Sequence, residues 1–136
     1  MKKIILFGFA ALMIAVLFTA CKKDDKAPTT TERIQQRWKF EKTYYHEETP
    51  GYPSYRDTTI GNLATDYIDF RTDNKTYSYT NGYYDTIPYS IINDTKLLID
   101  GDTATILVID DSQFQLHVSA GSYPTNYYEA YIYLKK

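Results

Sequence analysis

Beyond Trp38 the chain is written in short runs where apolar and polar residues alternate, broken by Gly, Asn, Asp or Pro roughly every eight to twelve positions. A helix needs apolar residues about 3.6 positions apart, so a period of two confines this stretch to strands. A first strand from about Trp38 to Tyr45 places Trp38, Phe40 and Tyr44 on one face and Lys39, Glu41 and Thr43 on the other. Ile68 and Phe70 share a face of the next clear strand, and Tyr77 and Tyr79 share one after the turn at Asp73 and Asn74. Ile87, Tyr89 and Ile91 alternate again, and Asp100-Gly101 joins Leu97–Ile99 to Thr103–Ile109 with the chemistry of a type I′ turn. Phe114, Leu116 and Val118 then alternate with Gln113, Gln115 and His117, and Tyr127–Leu134 closes the series with Ile132 and Leu134 on one face. With a weak strand around Tyr55–Ile60, the expectation is an all-β fold, a small antiparallel up-and-down barrel of about eight strands. Fifteen tyrosines agree with it, because aromatic rings suit a pleated, half-buried surface. The long exception is the stretch from His46 to Asp66, which holds Pro50, Gly51, Pro53 and Gly61 and reads as an extended loop.

Before the first strand, Thr29 and Glu32 have capping-box spacing, so one or two helical turns over Arg33–Arg37 are expected to lead into Trp38. Residues 22–31 are polar and rich in Lys, Asp, Thr and Pro, a composition that buries too little apolar area to fold alone. They form a linker.

The amino terminus carries an address. Lys2 and Lys3 precede Ile4–Ala20, a run of 17 uncharged residues, and small Thr19 and Ala20 stand directly before Cys21. This is the pattern of a signal peptide over residues 1–20 rather than of a membrane-spanning helix, since crossing ~30 Å of hydrocarbon takes roughly 20 apolar residues and the run stands at the short limit. Cys21 is the single cysteine, so no intramolecular disulfide can form. Leu17-Phe18-Thr19-Ala20-Cys21 resembles the lipobox of bacterial lipoproteins, with Phe18 at the usual leucine position and Leu17 one place further back. The resemblance implies diacylglycerol on the Cys21 thiol, cleavage before it, and acylation of the new amino terminus with chains such as palmitate. Several chains on one residue hold a protein persistently to a membrane. Lys23, Asp24 and Asp25 resemble the signal with which certain Gram-negative bacteria send lipoproteins to the outer face of the outer membrane. Without that export the anchor would face the periplasm.

The domain that follows, residues 32–136, resembles the lipocalin-like domains of bacterial lipoproteins, within the calycin group of small β-barrels. The likeness rests on the helical turn entering a strand with Trp38, the aromatic hairpin Tyr67–Tyr79, the meander of hairpins, and the closing strand YYEAYIYLKK. It implies that Trp38 plugs the closed end of the barrel against a basic residue, here Lys135 or Lys136, while the open mouth takes a small apolar or amphipathic ligand. Gln36 stands where lipocalins carry the glycine of their Gly-x-Trp motif.

Several function classes find no support. Losing residues 1–20 leaves 13 positive against 17 negative charges, so the mature chain lacks the basic footprint of a nucleic-acid binder. No Ser/His/acid set, phosphate-binding glycine loop or cofactor motif occurs, so an enzyme is not expected. His46, Glu47 and Glu48 carry metal-ligand chemistry, but neighbours in sequence seldom converge, and His117 falls on an outward face; no metal site is expected. Asp100, Asp102, Asp110 and Asp111 read as turn formers. The tyrosines in or near loops, Tyr52, Tyr55, Tyr83, Tyr84, Tyr123, Tyr127 and Tyr128, offer a second function: contact with a glycan or a partner protein at the surface. Asp-Thr pairs at Asp57, Asp85 and Asp102 resemble an acceptor motif for protein O-glycosylation.

Overall fold

The computed structural model describes residues 26–122 and 125–136. Cys21, Lys23, Asp24, Asp25 and Tyr123, together with the signal peptide, lie outside the described residues. One helical turn, α1 (Thr30–Ile34), precedes nine strands: β1 (Arg37–Glu48), β2 (Tyr55–Ile60), β3 (Tyr67–Phe70), β4 (Lys75–Thr80), β5 (Tyr83–Asn93), β6 (Lys96–Ile99), β7 (Asp102–Ile109), β8 (Gln113–Ser122) and β9 (Thr125–Lys135). Each strand from β3 to β9 pairs antiparallel with the next, and β9 returns to pair with β1. Eight strands thus close a barrel. β2 is the ninth, laid along the upper half of the β1 edge whose lower half takes β3.

Sequence explains the turns. Asp100-Gly101 and Asn81-Gly82 both have positive φ at the two central positions, the type I′ geometry that matches the twist of a hairpin. The capping box forms: Thr29 accepts from the Glu32 amide at 3.2 Å while the Glu32 carboxylate accepts from the Thr29 amide at 2.7 Å. The helix therefore starts at Thr30 and ends at Ile34, earlier than the expected Arg33–Arg37, because β1 begins at Arg37. The stretch from His46 to Asp66 is not a long loop. β1 runs on to Glu48 and β2 pairs with it, which leaves only the tight turn at 49–54 and the connection at 61–66 outside strands.

The closed end is aromatic. Trp38, Phe70, Phe114 and Tyr89 are buried, with ring centroids 5.5 Å apart for Trp38–Phe114, 5.6 Å for Phe70–Phe114 and 5.2 Å for Phe70–Tyr89. The Trp38 indole donates to the Ile34 carbonyl at 3.3 Å, which fastens α1 beneath the floor, and Lys136 Nζ lies 6.0 Å from the indole centroid. Tyr89 and Ile91, then Phe114, Leu116 and Val118, then Ile132 and Leu134 belong to the core or pack against it, and Ile87 lines an apolar recess beside them. Tyr77 and Tyr79 face outward, opposite to Ile68 and Phe70. Their cross-strand partners are Asp69 and Tyr67, and the Arg71 guanidinium sits 4.2 Å over the Tyr77 ring.

Among the described residues, strand edges left open include the outer side of β2 and the side of β5 from Tyr83 to Pro88 that β6 does not reach. On each, an aspartate folds back onto the next amide: Asp57 accepts from Thr58 at 2.8 Å and Asp85 from Thr86 at 2.7 Å. Occupying an edge amide in this way blunts strand-to-strand association, which gives the Asp-Thr pairs at 57 and 85 a structural reason to occur.

Replacing Trp38 with Ala should cost about 3–5 kcal/mol, the range for losing a buried aromatic ring, read as a lowered denaturant midpoint at unchanged slope. Gly61→Ala should cost about 1–3 kcal/mol by overpacking, because a Cβ there would collide with the Phe40 carbonyl oxygen.

Candidate functional site

The site begins with an irregularity in β1. Phe40 pairs with Leu134, but the next pair is Lys42 with Tyr133, so Glu41 is an extra residue on β1. Such a bulge shifts the side-chain alternation by one. Below it Trp38 and Phe40 point inward; above it Thr43, Tyr45 and Glu47 do, and Lys42, Tyr44, His46 and Glu48 point out. Tyr44 therefore does not share the face of Trp38 and Phe40, as simple alternation predicts. Its ring lies 6.3 Å from Tyr131 on the outside. The bulge is held by Gly61, whose amide donates to the Glu41 carbonyl at 2.8 Å, and by the Phe40 amide donating to Asp66 at 2.9 Å.

Above the bulge, β2, β1, β9 and the end of β8 rise together over the mouth of the barrel. On their inner face the Tyr45 ring lies 6.1 Å from Tyr55 and 6.2 Å from Tyr128. Tyr45 donates to Glu47 at 2.9 Å, Thr49 donates to the other Glu47 oxygen at 3.1 Å, and Tyr128 donates to Asp102. Asp57 is the cross-strand partner of Tyr45 and so shares its face. Burial, then the bond to Glu47, pushes the Tyr45 phenol up, and the bond to Asp102 with burial pushes Tyr128 up to about 12. Both stay protonated donors at neutral pH.

Two neighbouring depressions lie at the top of these strands. One of about 310 Å³ is lined by Glu47, Thr49, Tyr52, Pro53 and Tyr55; the other, about 160 Å³, shares Glu47 and Thr49 and reaches Tyr45, Tyr127 and Tyr128. The fold thus gathers Tyr52, Tyr55, Tyr127 and Tyr128 of the loop tyrosines and adds Tyr45, which the sequence places on an ordinary strand. Tyr83 and Tyr84 stand apart on the β4–β5 hairpin, both more than three-quarters exposed. Tyr84 packs 4.7 Å from Tyr79 on the outer face.

Inside the barrel, above the aromatic floor, is an apolar recess of about 110 Å³ walled by Ile68, Ile87, Ile99, Leu116 and Ile132, with Thr76 and Ser78 beside them. It is smaller than the ~300 to 1,000 Å³ usual for ligand pockets and close to the size of an engineered cavity, ~150 Å³, that admits benzene. Ile132, Ala130 and Tyr128 follow one another on the inner face of β9, so one strand face leads from the recess to the tyrosine rim.

On the outside of the same strands, His46 is buried between two carboxylates, with Nε2 2.9 Å from Glu48 and Nδ1 3.3 Å from Glu129. Glu129 also lies 3.4 Å from His117 Nε2 and accepts from Tyr127 at 2.9 Å and Tyr131 at 3.3 Å. His46 and His117 are brought together through this one carboxylate. Even so, among the described residues no group of three or more His, Cys, Asp or Glu is arranged to hold a metal. The cluster staples β1, β9 and β8, and through the Ser54 hydroxyl, 3.3 Å from His46, it reaches the β1–β2 turn. It is a brace for the mouth.

Burial pushes the Glu129 carboxyl up, but hydrogen bonds from Tyr127, His46, His117 and Tyr131 outweigh it and leave it below its ordinary value of 4.5. A carboxyl lowered on folding stabilises the fold above its unfolded value and loses that contribution as pH falls through the folded one. Glu129→Gln should therefore lower Tm at pH 7, and the gap to the wild type should close as pH drops below about 4.5, measured by thermal melts across pH 2–7.

No protein-family model and no curated protein matches this chain, so the geometry of the mouth is what a functional reading rests on.

Proposed function

We propose that the chain is a bacterial lipoprotein with a lipocalin-like barrel, cut before Cys21 and held by lipid on that residue to the outer membrane. Lys23, Asp24 and Asp25 then direct it to the cell exterior. Its barrel binds a small amphipathic molecule at the mouth, apolar end down and polar end at the tyrosine rim. The observation that carries the binding reading is the single inner face on which the recess wall at Ile132 is followed by Ala130 and Tyr128, leading to the rim tyrosines. A recess of about 110 Å³ takes a short chain or one ring, not a whole hydrophobic ligand, so the greater part of the molecule would lie in the rim depressions.

A second reading is supported by the exposure of Tyr52, Tyr55, Tyr83 and Tyr84, each more than half accessible. Tyrosines presented in this way suit a glycan or a partner protein. The two readings separate by where the occupant sits, inside the mouth or across the outer loops.

Native mass spectrometry of the lipidated protein, released gently from its host in neutral detergent, tests both the anchor and the pocket. The expected result is a covalent mass increase at Cys21 from acyl chains, and a non-covalent adduct that denaturation removes. Ser78→Leu, which fills the recess from its wall, should abolish the adduct with the fold intact by circular dichroism. An adduct unchanged in Ser78→Leu would move the site to the outer loops, and a Cys21→Ala protein that still fractionates with membranes would overturn the anchor.

A further inference from the structure

Three other tyrosine faces of this barrel already carry a cation of the protein itself. The Arg37 guanidinium lies 4.2 Å over Tyr67, Lys42 Nζ 4.6 Å over Tyr133, and Arg71 4.2 Å over Tyr77. The mouth is different. Among the described residues, no Lys or Arg lies over Tyr45, Tyr55 or Tyr128. From Thr43 to Ile60 the one Lys or Arg is Arg56, and its cross-strand partner is His46, on the outer face. None occurs on β9 from Thr125 to Tyr131. Three carboxylates stand among these rings instead: Glu47 beside Tyr45, Asp57 opposite it, and Asp102 bonded to Tyr128.

We infer that the mouth selects an organic cation, an alkylammonium head group held against the faces of Tyr45, Tyr55 and Tyr128 and neutralised by Glu47, Asp57 and Asp102. The inference rests on the mouth being the binding site and adds the charge of the ligand's polar end. An aromatic face is electron-rich, and a quaternary or primary ammonium near its centroid is attracted electrostatically, more strongly when partly desolvated. Here the phenol hydroxyls of Tyr45 and Tyr128 donate to carboxylates, which pushes electron density back into the rings and strengthens that attraction. The same hydroxyls are occupied, so the ring faces rather than the polar edges are left for a ligand. Carboxylates with no basic neighbour on their face set up a negative potential over the depression, which concentrates cations and repels anions. The apolar recess below would accept a short alkyl tail on the same molecule.

Three probes of one shape and different charge make the test: choline, its neutral carbon isostere 3,3-dimethylbutan-1-ol, and the anion 3,3-dimethylbutanoate. They are titrated into the full chain in neutral detergent and followed by NMR, with the tyrosine rings labelled. Choline should bind at least about tenfold tighter than the neutral isostere, weaken with added salt, and shift Tyr45, Tyr55 and Tyr128 selectively. Glu47→Gln, a near-isosteric change, should weaken choline at least threefold without altering the rest of the spectrum. If the alcohol binds as well as choline, or the anion binds better, the mouth remains a binding site and the cation inference is overturned. If none of the three perturbs the mouth tyrosines, the inference and the mouth-site reading fall together.

Discussion

The close approach of Gly61 to β1 is the contact on which the rest of the molecule depends. At position 61 a side chain would collide with the Phe40 carbonyl, and only with hydrogen there does the amide reach Glu41 and lock an extra residue into the strand. Below that bulge β1 supplies Trp38 and Phe40 to the floor. Above it the same strand supplies Tyr45 and Glu47 to the mouth, and turns His46 outward into the brace with Glu48 and Glu129. Without the shift in phase, His46 and Glu48 would face the mouth and Tyr45 would face solvent. A single backbone irregularity thus decides which side chains form the candidate site.

Two kinds of aromatic packing divide the structure. The floor of Trp38, Phe70, Phe114 and Tyr89 is dry and close-packed, and its stabilisation comes from apolar area and ring contacts. The tyrosines higher up and outside are amphipathic and half-exposed. They pair with arginine, lysine or each other, each contact modest on its own. The upper strands stand beyond the closed ring, so they draw support from local hydrogen bonds such as the Glu129 cluster rather than from a core. Stability concentrated in the floor leaves the rim free to be specified for recognition.

Much of the fold was legible in the residues. The Thr29–Glu32 capping box, the Asp100-Gly101 turn and the alternation at Phe114, Leu116 and Val118 each have a local cause, and each forms as local chemistry predicts. The closed antiparallel barrel follows from those strands and their short connections. The bulge was not legible, because nothing in KFEKTYYHEE distinguishes a strand with one extra residue from a regular one; the signal is Gly61, twenty positions away. Tyr77 and Tyr79 share a face, as their alternation implies, but which face is not legible for a different reason. A tyrosine satisfies the alternating pattern on either face, and its partners outside, Arg71 over Tyr77 and the rings of Tyr67 and Tyr84 against Tyr79, come from other strands and turns. Asp57 and Asp102 look like ordinary strand and turn residues until the fold sets them against Tyr45 and Tyr128.

A nuclear Overhauser spectrum of the aromatic region tests the phase of β1 most directly. The structure predicts cross-peaks from the Tyr45 ring to the rings of Tyr55 and Tyr128, and from Tyr44 to Tyr131. Cross-peaks from Tyr44 to Tyr128 or to the Ala130 methyl, with Tyr45 facing Tyr131, would mean that β1 runs without the bulge. The mouth would then be lined by Tyr44, His46 and Glu48 in place of Tyr45 and Glu47.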